Sequence, residues 1–240
     1  FRSHSLRADL PSIETEFHLA WAWSVTGDGI GIKGLEVVDL DGDGRSEILV
    51  ATEPGSDDGY WYILEHQKGA LVQTFSALPR ADGLMGLATG AEAGGIRVVV
   101  AGRSSLTVYD GATLRELATF PTPYAFDKVL AVGDVEADGI LDAVLCDAAD
   151  LYVYELLLGT VRTKLGFGCS DLALGQTDSD PQLEIAIAGN PAGGFVLDGA
   201  SLDVDWAVPS GFGSRLCLGN FDADERDEVA SLVTGGGIRV

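Results

Sequence analysis

A unit of about 45 residues recurs along the chain, and no other feature of the sequence restricts its fold so tightly. Its first landmark is an acidic turn set between apolar runs. It reads "VVDLDGDGRSEILVAT" at 37–52, "AVGDVEADGILDAVLCD" at 131–147, "ALGQTDSDPQLEIAIAG" at 173–189 and "CLGNFDADERDEVASLV" at 217–233. The double interval after the first copy holds one more, "LATGAEAGGIRVVVAG" at 87–102, with its acids mostly lost. The second landmark is a carboxylate after each turn, at Glu65, Asp110, Glu155 and Asp198, spaced 45, 45 and 43 residues apart. Two landmarks holding one period of this size indicate a solenoid or a propeller.

The apolar segments inside each unit are short and rich in Val, Ile, Leu and Tyr, and Gly, Asp and Pro separate them. No 3.6-residue periodicity is sustained, so these segments are strands. Each unit holds four: one before the acidic turn, one after it, one ending at the landmark carboxylate and one beyond the next turn. Four antiparallel strands in 40–50 residues make the blade of a β-propeller. A parallel β-helix would need much shorter coils. The expected fold is therefore all-β, a propeller of five four-stranded blades.

The last unit stops early. "GGGIRV" at 235–240 aligns with the third strand of the unit before it, "GGFVL" at 193–197. The N-terminal segment "FHLAWAWSV" at 17–25 resembles the fourth strand "LDVDWAVPS" at 202–210, Trp21 matching Trp206. The N-terminal strand is therefore expected to complete the last blade, which removes an open sheet edge. The blades are then 35–76, 84–120, 129–165, 171–208, and 215–240 with 17–25, and residues 1–16 read as a leader or linker. The alternative is a piece of a six- or seven-bladed ring. The chain begins with Phe1, so either a leader was removed or the numbering starts inside a longer product.

The acidic turn spans nine residues, with oxygen-bearing side chains at positions 1, 3, 5 and 9 and a backbone carbonyl at position 7. In the first blade these are Asp39, Asp41, Asp43, Glu47 and the Arg45 carbonyl. In the third they are Asp134, Glu136, Asp138, Asp142 and the Ile140 carbonyl, and in the fifth Asn220, Asp222, Asp224, Glu228 and the Arg226 carbonyl. The fourth offers Gln176, Asp178, Asp180 and Glu184. Alternate residues of a tight turn aim oxygens at one centre, and Gly44 and Gly139 at position 6 permit the positive φ that wraps the backbone around it. Several carboxylates plus a carbonyl suit Ca²⁺, which takes six to eight oxygen ligands. The absence of His and Cys from these turns argues against zinc or copper. Pro181 at the bend marks the fourth site as weaker, Glu225 replaces Gly in the fifth, and the second blade lacks the ligands. The competing reading is a solvated acidic turn with no ion.

The same residues carry a family resemblance. "GFGSRLCLGNFDADERDEVASLVTG" at 211–235 and "GFGCSDLALGQTDSDPQLEIAIAGNPAG" at 166–193 resemble FG-GAP repeats, the blades of the integrin α-subunit propeller and of many secreted bacterial proteins. Phe167-Gly168 and Phe212-Gly213 stand at the Phe-Gly position, and the resemblance covers roughly 35–240. It implies a propeller built of such repeats. It does not imply one function, because such repeats serve adhesion proteins, lectins, lyase-associated modules and scaffolds alike. The count of five blades and the degenerate second blade depart from the integrin pattern.

Net charge of −22 argues against nucleic acid and anionic membrane surfaces as partners, and it suits a protein that holds cations. No apolar run approaches the length of a membrane-spanning helix. His4, His18 and His66 have no Ser or Cys at matching repeat positions, so no catalytic triad is expected. Paired acids for glycoside cleavage stay open in so acidic a chain, but Glu65, Asp110, Glu155 and Asp198 recur at equivalent places and read as turn caps. Tyr60 and Trp61, after the insertion "EPGSDDGY", are candidates to stack on a sugar or meet a protein, with strand packing as the alternative. Cys146, Cys169 and Cys217 read as buried small hydrophobes, a Cys169–Cys217 bridge being left open. The resulting expectation is a non-enzymatic, Ca²⁺-binding extracellular or cell-surface module (periplasmic in a bacterium). It would bind protein or carbohydrate on one propeller face, serve adhesion, or assemble with itself. The alternative is a carbohydrate-active enzyme of the polysaccharide lyase type, or its accessory propeller.

Overall fold

A computed structural model describes residues 31–53, 59–77, 82–222, 224–233 and 237–240. The segment 17–25, with residues 1–16, lies outside them.

Nineteen strands form five consecutive antiparallel sheets among the described residues. The first blade contains β1 (Gly31–Val38), β2 (Glu47–Glu53), β3 (Tyr60–Gln67) and β4 (Ala70–Ser76). The second contains β5 (Gly86–Glu92), β6 (Gly95–Ala101), β7 (Ser105–Asp110) and β8 (Glu116–Pro121). The third contains β9 (Val129–Gly133), β10 (Asp142–Cys146), β11 (Asp150–Glu155) and β12 (Val161–Leu165). The fourth contains β13 (Asp171–Gly175), β14 (Glu184–Asn190), β15 (Gly193–Asp198) and β16 (Val204–Val208). The fifth contains β17 (Arg215–Gly219), β18 (Glu228–Val233) and β19 (Gly237–Arg239). Strands follow chain order within every blade. The architecture is a five-bladed β-propeller, as the repeat predicts.

The second strand of each middle blade is apolar on both faces because a blade packs on either side of it. Side chains alternate across a strand, so Val98 and Val100 of β6 join the first blade's Leu49, Ala51 and Ile63 while Val99 and Ala101 join the third blade's Ala143 and Leu145. In the same way Ile185 and Ile187 of β14 face the third blade, and Ala186 and Ala188 face the fifth. The inner strands pack in sequence, β1 on β5, β5 on β9, β9 on β13 and β13 on β17. Small residues permit that approach: a Cβ on Gly34 would lie 2.9 Å from the backbone of Leu87, and one on Gly175 2.9 Å from Leu218 Cβ.

Trp61 is fully buried between Phe75 and Tyr109, with ring centroids 4.8 and 5.4 Å away. It is core, and the sugar-stacking alternative fails for it because no ring face is open. The landmark carboxylates cap turns: Asp110 accepts from the Thr113 amide and hydroxyl, Asp198 from the Ser201 amide, and Glu155 from the Thr160 hydroxyl. Cys146 and Cys169 are buried, as expected, and are joined as a disulfide with Cα atoms 5.8 Å apart, linking the third blade to the segment that enters the fourth. Cys217 is exposed, contrary to the burial expected of it, because strand alternation sets it on the face opposite Leu216 and Leu218, which pack on Ala186 and Ala188 of the fourth blade.

Candidate metal centres in the interstrand loops

Each acidic turn joins the first and second strands of its blade, so rigid β-ladders fix both of its ends. One bond recurs in all four. The position-9 carboxylate on the second strand accepts the position-2 amide: Glu47 from Leu40 at 2.8 Å, Asp142 from Val135 at 3.2 Å, Glu184 from Thr177, and Glu228 from Phe221 at 2.7 Å. This bond draws an acid to the base of the loop, where Glu47, Asp142 and Glu184 are buried.

Above that base, the loops divide into two kinds. In the first and third blades the position-1 carboxylate accepts the amides of the bend: Asp39 from Asp43 and Gly44, Asp134 from Asp138 and Gly139. Gly44 and Gly139 take φ of 84° and 88° there, a conformation that costs glycine little. In the fourth and fifth blades neither Pro181 nor Glu225 has a positive φ. The position-1 residue is an amide that donates instead: Gln176 Nε2 to the carbonyls of Asp180 and Gln182, and Asn220 Nδ2 to the carbonyl of Asp224. The middle acids use one oxygen each on the amide two residues ahead: Asp43 on Arg45, Asp138 on Ile140, Asp180 on Gln182, and Asp224 on Arg226. The second oxygen is left over for a further partner.

Carboxylate oxygens converge to within 4.8 Å of one another in three loops: Asp39, Asp41 and Asp43; Asp178, Asp180 and Glu184; Asp222, Asp224 and Glu228. The third blade, with a full set by sequence like the first, is not among them. Its Glu136 is held by Arg162 Nη2 at 3.3 Å, while Arg162 Nη1 donates to the carbonyls of Gly199 and Ala200 in the fourth blade. Sequence reasoning missed this competitor because Arg162 lies 26 residues from Glu136.

Electrostatics distinguish the position-9 acids from the rest. Burial pushes Asp142 up to about 7, the nearby Glu136 and Asp138 charges add to that rise, and the Val135 amide and Arg162 oppose it. Burial also raises Glu47 and Glu184, with the loop aspartates adding to each. Glu184 is the extreme case. It is completely buried, and its Oε1 has no hydrogen-bond partner while it belongs to the cluster with Asp178 and Asp180. An unpartnered buried carboxylate oxygen is costly unless a cation meets it.

Two blades also share a loop contact that spacing does not disclose. Asp227, at position 8 of the fifth turn, accepts the Gln176 amide at 2.9 Å and donates its own amide to the Gln176 carbonyl at 2.6 Å. A cleft of about 530 Å³ lies between the two turns, lined by Gln176, Asp178, Asp180, Asp224 and Arg226 among others.

No protein-family model and no curated protein matches the chain. Solved structures match its fold. The Dos1 propeller superposes with a TM-score of 0.59 at 12% identity, over 88% of this chain and 54% of that one. The Neurospora crassa Pan2 WD40 domain gives 0.54 at 12% identity, over 86% and 74%. The chain thus spans about half the length of the Dos1 structure. At this identity the likeness concerns the fold, which is a β-propeller, and leaves the repeat type undetermined between FG-GAP and WD40.

Proposed function

We propose that this propeller is a divalent-cation-binding recognition module, Ca²⁺ holding its interstrand turns and a loop face engaging protein or carbohydrate. One observation carries the cation: Glu184 Oε1, fully buried, without a hydrogen-bond donor, beside Asp178 and Asp180. All-oxygen donors, with one oxygen spare on each of the middle acids Asp43, Asp180 and Asp224, fit Ca²⁺ better than a metal that prefers nitrogen or sulfur. The residues that would hold it are Asp39, Asp41 and Asp43 in the first blade, Asp178, Asp180 and Glu184 in the fourth, and Asp222, Asp224 and Glu228 in the fifth. Glu47 closes the base of the first loop. In the third blade Asp134 spends both oxygens on the amides of Asp138 and Gly139 and Glu136 pairs with Arg162, so its acids do not converge as the other three loops do. The ion supplies charge neutralisation and cross-links each turn.

An extracellular setting accords with this reading on two counts. Loops of this kind need calcium near 10⁻⁴–10⁻³ M, and a disulfide such as Cys146–Cys169 persists in oxidising compartments. A partner surface is offered by the loop between β8 and β9. There Tyr124 and Phe126 are both exposed and meet edge to face at 5.3 Å, with the Arg103 guanidinium over Phe126. Exposed paired aromatics of this sort suit a protein or sugar face.

Calorimetric titration with Ca²⁺ tests the cation. Heat of binding that falls by about one site's share in Asp178→Asn/Glu184→Gln supports it, and no heat at millimolar Ca²⁺ overturns it. A glycan array run beside turnover assays on acidic polysaccharides tests the role, and cleaved product would replace this reading with the lyase alternative.

A further inference from the structure

Glycines on the inner strands mark where the next blade reaches each turn. Gly90, Gly133 and Gly175 pair across the ladder with Arg97, Asp142 and Glu184, so they hold equivalent places in the second, third and fourth blades. The side chain at position 8 of the following turn lies over each of them. A Cβ on Gly90 would stand 3.0 Å from a Leu141 methyl, and one on Gly133 3.1 Å from a Leu183 methyl. On Gly175 it would stand 2.7 Å from Asp227 Oδ2. An apolar contact at two junctions is a carboxylate at the third. That carboxylate accepts the Gln176 amide at 2.9 Å, and the Asp227 amide donates to the Gln176 carbonyl at 2.6 Å. Both main-chain polar groups of Gln176 are therefore held by the fifth blade.

Gln176 opens the fourth turn at the place where the first and third turns have aspartate. Those aspartates order their own turns by accepting amides at a glycine bend, Asp39 from Gly44 and Asp134 from Gly139. The fourth turn has Pro181 there, and Gln176 shapes it instead. Its Nε2 donates to the carbonyls of Asp180 and Gln182, and its Oε1 accepts the Asp178 amide. The acids so arranged converge with Glu184, which is fully buried and whose Oε1 has no hydrogen-bond partner. Each of these side-chain bonds depends on where the Gln176 main chain stands, and Asp227 sets that from the neighbouring blade.

We propose that Asp227 is a positioning residue for the fourth-blade cation site, which is thus completed across a blade junction and coupled to the docking of the fifth blade. The inference rests on the cation reading of the fourth turn. NMR titration of Ca²⁺ into the intact chain follows each turn separately, through the amides of Asp178 and Asp180 for the fourth and of Gly42 and Gly44 for the first. Asp227→Leu keeps the packing that Leu141 and Leu183 give at the other junctions but removes the acceptor. It should weaken the fourth-turn midpoint about tenfold and leave the first-turn midpoint unchanged. Asp227→Asn keeps an acceptor oxygen without the charge and should stay within about threefold of the parent. An unchanged fourth-turn midpoint in Asp227→Leu would overturn the proposal. So would equal weakening in Asp227→Leu and Asp227→Asn, which would reduce the effect to lost charge. Coupling is reciprocal, so Ca²⁺ should slow hydrogen exchange of the Asp227 amide in the parent and not in Asp178→Asn/Glu184→Gln. Equal slowing in both would overturn the coupling, and this comparison decides even where Asp227→Leu fails to fold. A first turn that responds to Ca²⁺ while the fourth turn of the parent does not overturns this inference alone; a parent in which no turn responds overturns the cation reading as well.

Discussion

Replacing Glu184 by Gln separates a cation ligand from an ordinary structural acid, because the two roles predict opposite signs in chelator. Glu184 is fully buried, its carboxyl is raised by burial and by Asp178 and Asp180, and one of its oxygens lacks a partner. Without calcium, a neutral amide of the same shape relieves that repulsion and can still accept the Thr177 amide. Glu184→Gln should therefore melt at or above the parent in EDTA. With calcium the order reverses. At about 2 mM Ca²⁺, a site with Kd of about 10⁻⁴–10⁻³ M stabilises by RT ln(1 + [L]/Kd), about 0.6–1.8 kcal/mol. The three convergent loops together give about 2–5 kcal/mol, which for a chain of this size raises Tm by roughly 4–20 °C. Glu184→Gln should lose about a third of that rise. Differential scanning calorimetry in EDTA and in Ca²⁺, for parent and variant, supplies the four values needed. A variant that melts lower by the same amount in both buffers refutes the reasoning, since Glu184 would then matter only for the Thr177 bond.

Other consequences follow from single side chains. Lys128 is buried, donates to the carbonyls of Gly102 and Arg103 and to the Thr122 hydroxyl, and is pushed down to about 8 by burial, with Asp147 and Asp82 opposing the shift. Because the unfolded chain holds that proton up to 10.5, stability should climb between pH 8 and 10.5 by up to about 3 kcal/mol, and Lys128→Met should flatten the slope in urea titrations. Trp61→Ala removes the ring packed on Phe75 and Tyr109 and should cost about 3–5 kcal/mol in the same assay, with Trp61→Phe milder. The Cys146–Cys169 bridge, with a sequence separation of 23, should contribute about 3 kcal/mol, and thiol counting in denaturant should find Cys217 alone reactive until reductant is added.

The blades were legible in the sequence because their causes are local and repeated. A strand buried on both faces reads as an unbroken apolar run, as in Val98–Ala101 and Ala143–Cys146, and the turns between strands carry their own Gly and Asp signals. The position-9 acids were legible for the same reason, since one residue type sits at one offset from the turn. What depended on the next blade was not legible. Arg162 draws Glu136 out of the third loop, Asp227 bonds to Gln176 across two blades, and Cys146 meets Cys169 where Cys217 was the partner considered. None of these contacts follows from spacing within one repeat. The ranking of the loops changed accordingly. The fourth was expected to be weak for its Gln176 and Pro181, yet it holds both a converged acid cluster and the most deeply buried acid. Gln176 spends its amide on carbonyls of the turn, which leaves the acids of the loop free to face one another.

Anomalous scattering from crystals grown in millimolar calcium addresses the central claim most directly. The account predicts a peak bounded by Asp178, Asp180 and Glu184 Oε1, with companions in the loops of Asp39–Asp43 and Asp222–Glu228. Glu184 Oε1 found bonded to a water or a protein donor in that calcium-rich crystal, with no ion beside it, would contradict it.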